Sequence, residues 1–309
     1  MSLLPLHITN GNNLTNRLNE LNIEGEKLTW QEMLCEGPTV EIVYSEEFYH
    51  LRKQFFSAAY STELDVAKVK SAIQILDQHN SFSEIILWFE YDLFCHINMI
   101  AVISLIRQKK IELPIYLVCS GRVRGSKNLK GLNELTTGEL LKHYNDRILL
   151  NSEDLELAHT IWCIYCGKDH NLLKPYIIKS SSFKYLSNCL KAHLERFPYS
   201  KDGLNNIERN ILKIVRDVNI TSTNHLLGYA LHFQGFYGYS DLQLLRIIEN
   251  LKLFFRNTKE GLKLNRKGFE VLLGTHRYIE EFKSDMVFGG VRKSDFLFNS
   301  KANKLVNKV

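Results

Sequence analysis

A chain of 309 residues exceeds the size at which one hydrophobic core usually stops growing, so we expect two domains. A hydrophobic fraction of 45% and a charged fraction of 24% exclude a disordered chain, and 17 glycines with only 5 prolines argue against long flexible linkers. The longest apolar stretch, residues 97–106, is far shorter than the roughly 20 residues that cross a bilayer, so no membrane association is expected.

The net charge of +5 is unevenly distributed. From Phe197 onward the chain has 18 Lys and Arg against 11 Asp and Glu, which gives +7 there and leaves −2 for the rest. The basic C-terminal third therefore favours an anionic partner. The six cysteines are scattered, mostly in apolar settings, as reduced core thiols are, and no signal-peptide pattern opens the chain. We expect a cytoplasmic protein.

Strand and helix signals alternate through the first half of the chain. Strands are predicted at 3–9, after Gly25, at 85–89 and at 115–119, with helices at 14–21, 46–60, 62–78 and from 93 onward. Asn12 or Asn13 is expected to cap the first helix. This order predicts an α/β fold with an open, mostly parallel, Rossmann-like sheet that has helices on both faces. We place this domain at residues 1–150.

The rest of the chain is predicted to be mainly helical. Residues 151–197 form a helical connector with helices at 153–165 and 183–197, and the polar stretch 198–205, which contains Pro and Gly, marks a boundary. Beyond it, helices at 207–218, 222–233 and 240–252 precede short strands at 253–256 and 261–264 and a helix at 266–273. Three helices followed by a β-hairpin is the winged-helix order, so we expect a winged-helix-like domain over 198–309.

The buried strand at 85–89 ends in two acids, because the apolar run stops abruptly at Glu90-Tyr91-Asp92. Open α/β sheets place their ligand crevice at such strand ends. Carboxylates there can act as a general base, bind a sugar hydroxyl or hold a metal, and we predict Glu90 and Asp92 as catalytic residues. Asp92 has a simpler explanation as the cap of the next helix, which accounts for neither Glu90 nor His96.

The first strand leads into an Asn-Gly turn. Backbone amides at such a helix start can hold a phosphate or a carboxylate, so we predict that Asn10, Gly11 and Asn12 bind a ligand and that His7 is an acid or a phosphate partner. The alternative is a plain strand-to-helix turn with Asn as the cap, since the chain lacks a complete glycine fingerprint here.

A second candidate loop contains Trp30, Glu32, Glu36 and Gly37. One helical turn over this segment would place Glu32 and Glu36 on the same face. Gly37 permits unusual backbone geometry and the following proline stiffens the exit, which suits a shaped loop beside a ligand. The alternative is an exposed polar loop.

Two further patterns involve basic residues and cysteines. Arg122 and Arg124 lie in a Gly-rich basic loop, with Lys127 and Lys130, after the strand at 115–119, and are predicted to bind an anionic ligand unless the loop is simply solvated. Cys163, Cys166 and His170 resemble a metal-binding spacing. Because a second cysteine pair is missing and the segment is helical, we interpret the two cysteines as core thiols and predict no metal site.

Nucleic-acid binding has weak support in the sequence. In the winged-helix interpretation the helix at 240–252 faces DNA, but its polar set is sparse in cations and Asp241 and Glu249 oppose Arg246 and Lys252. The domain could equally be a packing or dimer module.

Four successive motifs resemble those of the bacterial proteins named for domain of unknown function 1835. They are LHITNGNNL, LTWQEMLCEGP, LWFEYDLFCHINMI and GLNELTTGEL, and the similarity continues through Phe197-Pro198, Gly203-Leu204, Glu208-Arg209 and residues 288–291. The resemblance thus covers nearly the whole chain. The resemblance implies no activity. It indicates which positions match the family pattern: His7, Asn10, Gly11, Trp30, Glu32, Glu36, Gly37, Pro38, Trp88, Glu90 and Asp92.

This chain departs from the family pattern at three positions. Asn12 stands where the family usually has Asp, Tyr91 where His is common, and His96 where Gln is common. The missing acid at Asn12 weakens any two-carboxylate metal site between the first and third motifs, whereas hydrogen-bonding roles remain.

The leading hypothesis is a protein whose α/β domain binds a small anionic or nucleotide-like ligand at the strand ends, with hydrolysis or group transfer as the reaction if it is an enzyme. The alternative is a ligand-sensing regulator whose winged-helix-like domain binds DNA or a protein. A third possibility is a structural module with a filled crevice. The patterns select no cofactor and no oligomeric state.

Overall fold

The computed structural model describes residues 3–123, 125–277, 279, 281 and 284–308. In chain order the strands are β1 (Leu4–Asn10), β2 (Glu26–Trp30), β3 (Gly37–Pro38), β4 (Phe82–Phe89), β5 (Ile115–Cys119), β6 (Gly121–Arg122), β7 (Leu129–Lys130), β8 (Ile148–Leu149), β9 (Phe255–Thr258), β10 (Gly261–Leu264), β11 (Val287–Gly289), β12 (Val291–Arg292), β13 (Phe296–Asn299) and β14 (Lys304–Asn307). The helices are α1 (Asn12–Glu20), α2 (Glu46–Tyr60), α3 (Val66–Ile73), α4 (Leu93–Gln108), α5 (Thr137–Asn145), α6 (Ser152–Cys166), α7 (Lys174–Ile177), α8 (Leu186–Leu194), α9 (Asn206–Asp217), α10 (Thr223–His232), α11 (Asp241–Asn250) and α12 (Arg266–Leu273).

A five-stranded sheet organises the first half of the chain, in the order β2-β1-β4-β5-β8. The first four strands of this order are parallel, and β8 joins the edge antiparallel to β5. The central strand β4 reads as a continuous apolar run because residues 85–89 are all fully buried. The prediction of a mixed α/β fold with a mostly parallel sheet is confirmed.

Alternating residues of β4 face two apolar clusters. Ile86 and Trp88 pack with Leu14 and Leu18 of α1 and Leu140 of α5. The residues between them belong to the larger cluster, which includes α4. Helices therefore cover both faces of the sheet.

The helix that follows the acidic strand end lies in the middle of the molecule. Residues 95–106 of α4 are all buried, and the helix packs against α6 and α8. An α-helix that is apolar all round is expected in such a position. None of the helices in the described part of the chain combines the length and apolarity needed to cross a bilayer.

Several element boundaries differ from the predicted ones. The predicted helix 62–78 is split into α3, which Asp65 caps through the Lys68 amide, and a 3-10 segment over Gln74–Ser81. Residues 183–197 are helical mainly in α8, and the strand expected at 253–256 begins only after a 3-10 turn at Leu251–Phe254. The segment 35–38, expected as a loop, contributes β3, which pairs with β11 near the other end of the chain.

The C-terminal third contains α9, α10, α11, the antiparallel hairpin β9–β10 and α12, in the predicted order. Its core is continuous with that of the first half, because Tyr239, Leu244 and Phe288 belong to the same cluster as Cys35 and α4. The division into 1–150, 151–197 and 198–309 stays a prediction.

Candidate functional site at the strand ends

The carboxyl ends of β1 and β4 lie side by side, and both contact α4. Asn10, the last residue of β1, donates from Nδ2 to the Cys95 sulfur at 3.1 Å and accepts from the Asn98 side chain at 2.9 Å. Asn98 also donates to the Glu32 carbonyl at 2.7 Å. These bonds place Asn10 beside the first turn of α4, where the residues after β4 lie.

Glu90 and Asp92 form the acidic part of this site. One carboxylate oxygen of each and the Cys95 sulfur lie within 4.8 Å of one another. Glu90 accepts from the Leu132 amide at 2.6 Å, and a Cβ added to Gly131 would lie 2.7 Å from its other oxygen. The segment 131–132 therefore packs directly on the Glu90 carboxylate, and a larger residue at Gly131 would require the Glu90 side chain to shift.

Both carboxyl groups are electrostatically unusual. Burial, and next the neighbouring Asp92, raises the pKa of Glu90 from 4.5 to about 7, against hydrogen bonds from backbone amides that lower it. Burial also raises the pKa of Asp92. Among the described residues, no Lys or Arg forms an ion pair with either group. A half-buried carboxyl that titrates near neutrality is suited to accept or donate a proton.

Asp92 also has the predicted structural role. It is the N-cap of α4, and its side chain accepts from the Cys95 amide at 2.8 Å. His96 is buried one turn later, and its Nδ1 donates to the Asp92 carbonyl at 2.9 Å. Burial lowers the pKa of His96 to about 4, so this imidazole is neutral at pH 7.

The N-terminus of α1 opens beside Asn10. The cap residue is Gly11, with φ 93°, so the prediction of Asn12 or Asn13 as the cap is wrong. Asn12 lies inside the first turn, where its side chain accepts from Gln31 at 2.6 Å. A Cβ at Gly11 would meet no atom within 4 Å, and the helix has no side-chain cap among the described residues. The first-turn amides thus have an open approach, as an anion site needs.

His7 lies away from the strand ends, inside the sheet. Its Nδ1 accepts from the Trp88 indole at 3.0 Å, and its Nε2 donates to the Glu24 carbonyl at 2.9 Å. Burial lowers its pKa to about 4. Both nitrogens are therefore occupied within the protein, and the structure does not bring His7 together with Glu90 and Asp92.

Glu32 and Trp30 are buried at the end of β2. The carboxylate of Glu32 lies 3.7 Å from the Arg52 guanidinium, and burial raises its pKa although Arg52 opposes that shift. Glu32 and Tyr44 also line a cavity of about 550 Å³ between β2 and α3. Trp30 packs its ring on Tyr44 with centroids 5.2 Å apart. Glu32 and Trp30 therefore belong to the surroundings of this cavity and not to the Glu90 site.

Glu36 is bound by the C-terminal third. It accepts from the Tyr60 hydroxyl and the Gln243 side chain, each at 3.0 Å, and forms an ion pair with Arg246. Because residues 31–36 are not helical, the predicted helical turn with Glu32 is wrong, and so is the alternative of an exposed polar loop.

Gly37 is required by close packing at this point. Its φ is 87°, and a Cβ would lie 2.5 Å from the Arg52 guanidinium. Arg52 is fully buried and donates to the Glu36 carbonyl at 2.7 Å. Sequence reasoning missed this arginine, although its position one turn after the buried Phe48 was a signal that it lies on the inner face of α2.

The basic side chains that the structure describes in this loop form no ion pair with Glu90 or Asp92. Arg122 is exposed, and its backbone amide donates to the Tyr185 hydroxyl at 2.8 Å. Lys130 pairs with Glu139 at 3.3 Å. Arg124, the other predicted ligand residue, lies outside the described residues.

Sequence reasoning also missed a segment that covers the strand ends. The Leu93 and Phe94 amides, in the first turn of α4, donate to the carbonyls of Phe236 at 2.7 Å and Tyr237 at 3.2 Å. A Cβ added to Gly238 would lie 2.2 Å from the Asp92 carboxyl carbon. The loop between α10 and α11 therefore rests on the site from above.

Comparisons with known proteins do not assign the chain to a family. No family model matches it. No curated protein matches it either. The DNA-binding, cleavage and re-ligation domain of Plasmodium falciparum topoisomerase II aligns with a TM-score of 0.47 and 14% identity, over 80% of this chain and 42% of that one. The chain thus spans less than half of that structure, and a likeness this weak supports no conclusion about fold or function.

Proposed function

We propose that the protein binds a small ligand with an anionic group, nucleotide-like or phosphorylated, at the carboxyl ends of β1 and β4. The observation that carries the proposal is the pair of Glu90, which is half-buried, and Asp92, which is buried. Their carboxyls lie within 4.8 Å of each other, and no cation is paired with them among the described residues. Buried acids are ordinarily paired, because an isolated buried charge is costly. An acid pair without a cation is suited to a ligand that supplies hydroxyl donors or a transferable proton.

The site has one part for the anion and another for the polar body of the ligand. The open first turn of α1 presents unpaired amides and the positive end of the helix dipole, which favour a phosphate or carboxylate. The carboxyls beside Asn10 would repel that anion, so they take the hydroxyl-bearing part. Asn10 lies between the two parts, since it precedes Gly11 and hydrogen-bonds to α4.

Hydrolysis or group transfer is the reaction class that these groups would serve. A carboxyl with a pKa of about 7 is partly ionised at neutral pH and can take a proton from water or from a hydroxyl nucleophile. Glu90 is the base in this proposal. Asp92 has a smaller part in it, because its oxygens already accept bonds from the α4 amides.

Ligand-dependent melting tests the proposal. Purified protein is titrated with a panel of nucleotides and sugar phosphates, and at least one is expected to raise the melting temperature. Glu90→Gln should weaken or abolish that shift, whereas Glu112→Gln, at an exposed position before β5, should leave it unchanged. A panel without any shift, or equal shifts in both variants, would contradict a ligand site at Glu90.

We keep the resemblance to the proteins named for domain of unknown function 1835, and the Rossmann-like description of the sheet, as proposals. The ordered motifs support both: the first and third motifs supply Asn10, Glu90 and Asp92, which share one site.

A second candidate is a ligand-sensing regulator with a winged-helix-like output. The order α9, α10, α11 and β9–β10 supports it, as does a cluster of Arg216, Arg256, Lys259 and Lys263 around the hairpin. The helix that would read DNA is less favourable, because Gln243 and Arg246 of α11 contact Glu36. Phosphate contacts would therefore fall to the hairpin.

Binding to random duplex DNA at low and moderate salt tests this second candidate. Affinity that falls steeply with salt and drops in a Lys259→Glu variant would support it. No binding at low salt would remove the nucleic-acid version and leave a protein partner.

A further inference from the structure

Three side chains of types that bind transition metals meet at the opposite end of α4 from Glu90. Glu41 lies in the segment before α2, and His159 and Cys163 lie one turn apart on α6. The thiol of Cys163 donates to a Glu41 carboxylate oxygen at 3.0 Å, and its sulfur lies 3.7 Å from His159 Nε2. One donor atom from each residue falls within 4.8 Å of the other two.

We propose that Glu41, His159 and Cys163 form a Zn²⁺ site with one coordination position open to solvent. A carboxylate, an imidazole and a thiolate together are a zinc donor set, whereas Mg²⁺ and Ca²⁺ prefer oxygen ligands alone. Three protein ligands with a fourth position left for water is the arrangement of exchangeable or catalytic zinc. Glu41 is exposed and the other two are half-buried, so the ion has a path from solvent.

Two of the three separations between the donor atoms are close to those of tetrahedral zinc. Bonds of about 2.3 Å to sulfur and about 2.0 Å to nitrogen or oxygen place neighbouring donors roughly 3.5 Å apart. The two observed separations, 3.7 Å from sulfur to nitrogen and 3.0 Å from sulfur to oxygen, lie on either side of that value. Small side-chain rotations would complete the site after the thiol loses its proton to solvent.

The surrounding residues already orient two of the ligands. His159 Nδ1 is 2.9 Å from the hydroxyl of Ser104, which is fully buried on α4. With Nδ1 bonded to Ser104, Nε2 is the nitrogen that faces the Cys163 sulfur. Such an outer contact fixes the ring orientation of metal-binding histidines.

The backbone of Glu41 is held in the same way. Its carbonyl accepts from the Gln108 side chain and from the Trp162 indole, each at 2.8 Å. Gln108 also donates to the Ser104 hydroxyl at 3.4 Å. One residue pair on α4 therefore supports both the histidine and the glutamate, and the site is largely assembled before an ion binds.

This site is separate from the proposed ligand site. Asp92 and Ser104 lie on the same helix, about 18 Å apart at 1.5 Å per residue. It also differs from the cysteine spacing noted in the sequence, because His170 bonds to the Tyr165 carbonyl and to His193 at 2.8 Å each. The actual partners of Cys163 are a histidine one turn earlier and a glutamate far away in sequence.

Titration of the reduced, full-length protein with Co²⁺, a spectroscopic substitute for Zn²⁺, tests the proposal. We expect one ion per chain and a thiolate-to-cobalt charge-transfer band that added Zn²⁺ removes. Cys163→Ser should abolish the band, and Glu41→Gln, at an exposed position where folding is not at risk, should weaken binding at least tenfold. Ser104→Ala should weaken it about 10- to 100-fold, the usual effect of losing an outer contact.

Two controls assign the ion to this site. Cys166→Ser removes the neighbouring thiol and Asp92→Asn removes an acid of the strand-end cluster, and both variants should bind Co²⁺ as the unmodified protein does. Melting in chelator, unchanged between Cys163→Ser and the unmodified protein, shows that loss of the band is not loss of the fold. A missing band in the unmodified protein, equal affinity in Glu41→Gln, or loss only in Asp92→Asn would overturn the proposal.

Discussion

Two pairs of acidic residues near strand ends distinguish two regions of this molecule. Glu32 and Glu36, after β2, each have an arginine close by: Arg52 lies 3.7 Å from Glu32, and Arg246 pairs with Glu36. Glu90 and Asp92, after β4, have no arginine or lysine paired with them among the described residues. All four residues come from similar sequence settings, at or soon after a strand end.

The difference separates acids that hold the fold together from acids that are available for chemistry. An acid paired with a cation holds two parts of a chain together and is not free to bind anything else. For Glu36 the cation is Arg246 of α11, so the ion pair holds the C-terminal third against the segment before α2. An acid pair without a cation keeps a raised pKa, which is costly for stability and useful for proton transfer.

Removal of Arg246, the cation that pairs with Glu36, should have the largest effect on the free energy of unfolding. Arg246→Met keeps most of the side-chain volume but leaves the buried Glu36 charge without its cation, and it also removes the ion pair of Arg246 with the exposed Asp285. Loss of one member of a buried pair costs about 3–5 kcal/mol, and we expect about 3 kcal/mol because Arg246 retains some exposure. Urea unfolding at pH 7 measures the change.

The matched control is the exposed pair Arg216–Asp217 on α9. Arg216→Met should leave the free energy of unfolding nearly unchanged, because an exposed ion pair in water contributes little to stability. If the two variants lose equal stability, the ion pair between Glu36 and Arg246 does not hold the two parts of the chain together. The contrast between the paired and the unpaired acids would then be wrong.

The absence of a cation beside Glu90 and Asp92, within the described part of the chain, should be visible in the pH dependence of the free energy of unfolding. In the unfolded chain Glu90 ionises near 4.5, and in the folded protein near 7. Between pH 4.5 and pH 7 the folded protein holds a proton on Glu90 that the unfolded chain has released. The stability that the protonated Glu90 contributes is therefore fully present below pH 4.5 and is lost as the pH rises through 7. Glu90→Gln cannot ionise. Relative to the unmodified protein it should become more stable with rising pH, by on the order of 2–3 kcal/mol.

Unfolding free energies measured from pH 4 to pH 8 give this difference directly. Near pH 4 the variant and the unmodified protein should have similar stability, because a protonated Glu and a Gln are alike in shape and polarity. Glu112→Gln, at an exposed site, should give a flat difference curve. A flat curve for Glu90→Gln would mean that Glu90 is ordinarily ionised and has no special role.

The sequence was sufficient for features that depend on local patterns. The apolar run before Glu90 predicted a central strand because a strand buried on both faces must be apolar throughout. The helices α2 and α12 were predicted at their observed bounds, since spacing and caps are read from neighbouring residues. Asp92 as a helix cap follows from the same local logic.

The partners of the acids could not be predicted in this way. Glu36 contacts Gln243 and Arg246, which lie more than 200 positions away, and no local pattern encodes such a contact. His7 shows the same limit, because alternation tells which face of the sheet it points to but not that Trp88 and Glu24 occupy both its nitrogens. Whether a buried acid is paired is therefore decided by tertiary structure.

The smallest expected effect concerns the loop that rests on Asp92. Gly235 and Gly238 have nearly equal backbone angles, φ 68° and 64°, so an alanine at either suffers about the same backbone strain of roughly 1 kcal/mol. Only at Gly238 does the new methyl group overlap Asp92, at 2.2 Å from its carboxyl carbon, whereas Gly235 has open space. Gly238→Ala should therefore lose about 1–2 kcal/mol more than Gly235→Ala, since overpacking costs about 1–3 kcal/mol. It should also weaken any ligand bound at Glu90, because the loop and the cap of α4 move together. Equal losses in thermal and urea unfolding would show that the loop yields freely, and Asp92 would then lie under a movable cover instead of a fixed one.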